Sequence, residues 1–86
     1  MNTFELKIST PDGNVFEGEA TGISVRGIEG DLKILAGHTP FVTSLKQGRV
    51  KIDLPDGGIK LGSAAGGLLT VSGNVVTLLS GSFKME

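Results

Sequence analysis

The chain has 86 residues with eight Lys and Arg against nine Asp and Glu, a net charge of −1, one His, and no Cys, Trp or Tyr. That length makes one small domain, which buries about 60% of its unfolded surface and leaves little room for a deep cleft. The even charge and missing Tyr and Trp argue against nucleic acid or sugar as a partner, and the missing Cys removes disulfides and thiolate metal sites and fits a reducing compartment. The N-terminal Met-Asn-Thr-Phe-Glu-Leu-Lys lacks the apolar core of a signal peptide, and no apolar run approaches the ~20 residues that span a bilayer. The expectation is a protein that is soluble or peripheral to a membrane.

Fourteen glycines punctuate the chain, and the longest stretch free of Gly and Pro is Met1–Thr10. An interior Gly costs a helix about 1 kcal/mol relative to Ala, and ordinary helices run about 11–12 residues. A helix has almost nowhere to fit, so the fold class predicted is all-β, a single domain over residues 1–86.

Thr3–Ser9 alternates, with Phe4, Leu6 and Ile8 on one face, as a half-buried strand does. Thr10-Pro-Asp-Gly-Asn14 is a turn in which Pro11 presets φ and Gly13 accepts a positive φ. Val15–Glu17 returns as a short strand. Ala20–Arg26 is the third, with Ile23 and Val25 inward. Gly27-Ile-Glu-Gly30 is a loop that exposes Glu29, and Asp31 follows at its edge. Leu32–Leu35 is a fourth strand, ending at the corner Gly37-His38-Thr39-Pro40. Phe41–Leu45 reads as strand or irregular coil. Arg49–Leu54 places Val50, Ile52 and Leu54 on one face. Pro55-Asp-Gly-Gly58 is a hairpin turn answered by Ile59–Leu61. Gly62-Ser-Ala-Ala-Gly-Gly67 reads as small and flexible. Leu68–Val71 and Val75–Leu79 flank the hairpin signal Ser72-Gly73-Asn74. Ser82-Phe-Lys-Met-Glu86 carries no clear element. Eight to ten short strands with frequent turns indicate a sandwich or small barrel.

Three features invite a chemical reading, and each is weak. His38 has no Cys or second His to share a metal, and no Gly-x-Ser-x-Gly elbow supplies a nucleophile for a triad. The Gly62–Gly67 tract lacks the Gly-Lys-[Ser/Thr] of a phosphate loop, and no helix follows to hold an anion. Glu29 and Asp31 on a glycine-flanked loop are expected to be solvated, which does not drive their pKa values apart for acid–base work. Read from its residues, the chain is a β domain whose job is to bind another macromolecule.

A family resemblance sharpens this. The opening Phe4-Glu-Leu-Lys-Ile-Ser-Thr-Pro-Asp-Gly13, the Gly27-Ile-Glu-Gly-Asp-Leu32 loop, and above all Ala36-Gly-His-Thr-Pro-Phe-Val-Thr-Ser-Leu-Lys-Gln-Gly48 resemble the N-terminal domain of the epsilon subunit of the F-type ATP synthase, called delta in mitochondria. Gly66-Gly-Leu-Leu-Thr-Val71 and Val76-Thr-Leu-Leu79 continue the pattern, which covers about residues 3–80. The resemblance implies a flattened β-sandwich of about ten short strands. It implies a non-catalytic rotor subunit of the central stalk, which docks gamma onto the c-ring and couples proton- or sodium-driven rotation to ATP synthesis, with no cofactor and no bound metal of its own. The site residues it implies are Ile28, Glu29, Gly30 and Asp31 toward the c-ring, and Thr10, His38, Thr43, Arg49 and Leu61 toward gamma. It implies a peripheral membrane protein on the cytoplasmic face of the inner or plasma membrane. The chain departs from the pattern at Ala36, where Pro is usual, at Arg49, where an apolar residue is common, and at Ala65, often Ser. It also departs after Ser80, where Gly81-Ser-Phe-Lys-Met-Glu86 replaces the family's usual opening of a C-terminal two-helix hairpin, and the expectation is a form without that hairpin. The competing reading, from a different class, is a small ligand- or metal-binding β-sandwich enzyme using His38 with Asp31 or Asp53.

Overall fold

A computed structural model describes residues 2–86. Among them are eight strands and no helix: β1 (Phe4–Thr10), β2 (Gly13–Ala20), β3 (Gly22–Gly27), β4 (Gly30–Leu35), β5 (Phe41–Asp53), β6 (Ile59–Ser72), β7 (Val75–Leu79) and β8 (Phe83–Met85). The all-β expectation holds. The count is eight rather than ten, because segments read as separate strands are fused. Phe41–Leu45 and all of Arg49–Leu54 but its last residue belong to the 13-residue β5, and Ile59–Leu61 and Leu68–Val71 to the 14-residue β6.

Hydrogen bonding runs β2-β1-β7-β6-β5-β3-β4, with β8 on the free flank of β6. All pairs are antiparallel except β1 with β7, which brings the first strand beside the last long one. The sequence-predicted turns close three hairpins. Pro11-Asp12 joins β1 to β2, and Gly73-Asn74 joins β6 to β7 with Gly73 at φ 59°. At the β5–β6 turn the Leu54 amide donates to the Gly58 carbonyl at 2.9 Å, and the Asp56 carboxylate accepts from the Gly58 amide at 2.7 Å.

The long pair β5–β6 folds this sheet onto itself. In the first half of β5 the odd positions Phe41, Thr43 and Leu45 face inward; in the second half the even positions Val50 and Ile52 do. Opposite, Gly62 and Ala64 are buried on β6, then Leu69 and Val71. Both strands exchange their inward face at one level, Lys46 facing Gly66, and there the sheet creases. Gly66 and Gly67 take φ of 96° and 145°, a region that disfavours side chains. A Cβ on Gly67 would collide with the Leu79 carbonyl. Ser80, buried beside the crease, places its hydroxyl 2.5 Å from the Gly66 carbonyl and 2.8 Å from the Ser82 carbonyl.

Two layers result. The first is β2, β1, β7, the second half of β6 and the first half of β5; the other is β8, the first half of β6, the second half of β5, β3 and β4. The smallest extent of 21 Å accommodates two such layers packed about 10 Å apart. Between them lies one core: Phe4, Leu6 and Ile8 from β1, Val76 and Leu78 from β7, Leu69 and Val71 from β6, against Ile23, Val25, Ile34, Val50 and Ile52. Each fully buried Leu, Ile or Phe contributes about 1.5–3 kcal/mol.

Candidate functional site

The residues expected to face the c-ring form one continuous tip. Gly27 pairs with Gly30, leaving Ile28-Glu29 as a two-residue turn, and Gly30 takes φ 133°. Ile28 is 53% exposed, and Glu29, Gly30 and Asp31 are exposed too. Asp31 stands across from Arg26 on the neighbouring strand, Oδ1 to Nε 3.5 Å, a solvated pair that leaves the carboxylate open to a partner. The Ile28 amide donates to the Ser44 carbonyl at 3.2 Å, which ties the tip to β5 beside the crease.

The residues expected to face gamma do not share one surface. Thr10 closes the β1–β2 turn, its hydroxyl accepting from the Asp12 amide at 3.2 Å. His38 sits in the β4–β5 corner after Gly37 at φ 83°, with its amide on the Leu35 carbonyl. Its Nδ1 lies 2.8 Å from the Thr39 carbonyl, an acceptor only, so Nδ1 carries the proton. Its ring meets Phe41 edge to face at 5.5 Å. Thr43 is half-buried on the inward side of β5. Arg49 and Leu61 lie on the outer face of the other layer, where Arg49 pairs with Ser63 and Lys51 with Leu61.

The feature that residue-by-residue reading missed is the outer face of the first layer. Cross-strand register aligns Val42 with Thr70 and Thr77 in one row, and Ser44 with Leu68 and Leu79 in the next. Val42 is 65% exposed, Leu79 46% and Leu68 37%. No charge falls on these two rows until β1, and a shallow depression runs from Leu68 and Leu79 to Thr10 and Pro11. The signal was present in the chain: Phe41-Val42, Leu68-Leu69, Val75-Val76 and Leu78-Leu79 are adjacent apolar pairs. In a strand, neighbours point to opposite faces, so each such pair puts one apolar group outward.

Nothing catalytic gathers. Among the described residues no three His, Asp or Glu side chains come together in a metal-holding group. His38 and Asp31 flank opposite ends of β4, and Asp53 is engaged by Lys33, Nζ to Oδ2 3.0 Å. The described residues thus form a β-sandwich with an acidic hairpin tip adjoining an uncharged sheet face.

The family is shown directly. Residues 3–85 match the model of the ATP synthase, Delta/Epsilon chain, beta-sandwich domain, and the chain belongs to that family. Among solved structures it is similar to a chain of the Euglena gracilis mitochondrial ATP synthase, described as OSCP/F1/c-ring in rotational state 1, with a TM-score of 0.92 and 22% identity over 99% of this chain and 54% of that one. It is also similar to a chain of the Tetrahymena thermophila mitochondrial ATP synthase central stalk and c-ring, with a TM-score of 0.77 and 18% identity over 92% of this chain and 63% of that one. At these identities the likeness is one of fold, and the chain spans between about half and two-thirds of the length of each.

Proposed function

We propose that this chain is a non-catalytic rotor subunit of an ATP synthase central stalk, seated between gamma and the c-ring and transmitting proton- or sodium-driven rotation between them. The observation that carries the reading is a juxtaposition: the Ile28–Ser44 hydrogen bond holds the acidic tip beside the uncharged face of Val42, Leu68 and Leu79. A rotor part wedged between two partners needs two such surfaces side by side on one rigid body. Membership of the ATP synthase Delta/Epsilon chain family supports reading the two partners as gamma and the c-ring.

Gamma covers the uncharged face, with Thr10 at its edge and His38 at the corner where β5 begins; Thr43, on the inward side of β5, lies beneath this face rather than on it. The Ile28–Asp31 tip meets polar loops of the ring, where the solvated Asp31 carboxylate suits basic and amide groups. Arg49 and Leu61, across the sandwich, lie outside this gamma contact. The chain is then held at the membrane, on its cytoplasmic face, through the ring and without insertion. The test is Asp31→Cys in an assembled enzyme carrying a cysteine in the ring's polar loop. A tip–ring disulfide is expected, with none from Asp56→Cys in the β5–β6 turn. Equal crosslinking from both, or none from Asp31→Cys, would remove the ring from this end of the domain.

A further inference from the structure

The outer face of the second layer concentrates the chain's positive charge. Of its eight cationic residues, five lie there: Arg26, Lys33, Arg49, Lys51 and Lys84. Register sets them in rows. Lys33 and Lys51 stand on either side of Ser24, while Arg49 and Lys84 stand on either side of Ser63. Three carboxylates answer them: Asp31 to Arg26, Asp53 to Lys33 and Glu86 to Arg49, the last at 3.7 Å. Lys51 and Lys84 make no ion pair with any described residue. The opposite edge of the molecule is anionic, with Glu5 across from Glu19 and Lys7 across from Glu17. The molecule is an electric dipole, which orients approaching partners.

This face has a shape as well as a charge. The outward positions of β3 are Gly22, Ser24 and Arg26; Ser24 is a small residue between Lys33 on β4 and Lys51 on β5, and Gly22 lies under the Lys33–Asp53 pair. Gly48 leaves room for the Arg26 stem, whose Cβ and Cδ lie 3.1 and 3.2 Å from where a Cβ would stand. A trough of about 390 Å³ therefore opens over Ser24, with Asp31 and Lys33 of β4 on one bank, Arg49 and Lys51 of β5 on the other, and the Arg26 stem reaching across its end toward Gly48. The Lys33–Asp53 pair lies over Gly22 and closes this end of the trough, and beyond it Leu35 and Ile59 are 54% and 55% exposed.

We infer that this trough docks an acidic polypeptide segment that also carries apolar side chains. Carboxylates of the segment pair with Lys51, Arg49 and Arg26, and its apolar groups reach Leu35 and Ile59. The banks fit a chain one strand wide. A flat bilayer surface cannot enter the trough. The surface is separate from the uncharged face and adjoins the hairpin tip only through the Arg26–Asp31 pair, and the inference does not depend on the stalk reading.

The experiment uses the full 86-residue chain with three probes: a synthetic peptide of alternating Glu and Leu, phosphatidylglycerol vesicles, and inorganic tripolyphosphate. Amide shifts on adding the peptide are expected at Ser24, Arg26 and Lys51. Lys51→Glu with Arg49→Glu should weaken peptide binding at least about tenfold, because each reversal replaces attraction by repulsion. Lys60→Glu, the same charge change off the trough, should leave it within about twofold. Lys51→Gln alone, at an exposed position, should give an intermediate loss should the double variant misfold. No peptide binding, equal loss from Lys60→Glu, or binding to vesicles or tripolyphosphate in preference to the peptide would each overturn the inference.

Discussion

At the scale of single residues, the crease depends on groups that leave little room for substitution. Gly67 combines a φ of 145° with the Leu79 backbone where its Cβ would stand. Gly67→Ala should cost more than about 2 kcal/mol, since either the strand pair separates or the strain is kept. Gly81→Ala, where a Cβ meets nothing and φ is ordinary, should stay within about 0.5 kcal/mol. Urea unfolding of the two variants makes the comparison. Ser80 acts at the same place by hydrogen bonding. Ser80→Ala removes the hydroxyl that reaches the Gly66 and Ser82 carbonyls and should cost about 1–3 kcal/mol, with Ser80→Thr recovering part of it if the added methyl fits. Such roles are invisible in a list of residue types, because Gly66-Gly67 and Ser80 become neighbours only after β6 and β7 have paired.

At the scale of elements, the readings of the Gly62–Gly67 tract and of the C-terminal residues needed correction. The tract Gly62–Gly67 looks flexible because glycine is a poor strand former, yet it lies inside the longest strand. β6 has β5 along its whole length on one side and β7 and β8 on the other, so ladder hydrogen bonds outweigh local propensity. The glycines also allow close approach: a Cβ on Gly62 would stand 2.7 Å from the Lys84 carbonyl and 2.8 Å from the Phe83 ring. β8, read as carrying no element, alternates Phe83 and Met85 around Lys84, but three residues fall below what periodicity alone can establish. By contrast β1 was legible in full, with Phe4, Leu6 and Ile8 at 2%, 0% and 0% exposure. Hydrogen exchange should reflect this order. Amides of β5 and β6 that pair with one another should be the most protected, and those of β8 and the outer side of β4 should exchange first. Early exchange along the Gly62–Gly67 segment would contradict the continuous strand.

For the whole molecule, function rests on which face of each layer is left uncovered. The first layer shows uncharged rows, and the second shows cations and small residues. Leu68→Glu should therefore weaken binding to an isolated gamma subunit about tenfold or more, by burying a charge against an apolar partner, while leaving the melting temperature nearly unchanged. Lys51→Glu on the other layer should leave gamma binding intact. Calorimetric titration of both variants separates the two faces, and equal losses would show that gamma spans both.

The sequence by itself determined the fold class, the hairpin turns and the core, because glycine spacing, turn chemistry and alternation are local properties. It also brought together Ile28–Asp31, since the tip is contiguous along the chain and its glycines fix the turn. It did not separate Arg49 and Leu61 from Thr10, His38 and Thr43, nor identify the face of Val42, Leu68 and Leu79. Those depend on the crease at Lys46 and Gly66, where both long strands exchange their inward side. Alternation reports that a residue faces one way or the other; only the pairing of strands distant in sequence decides which side is core and which is left for a partner.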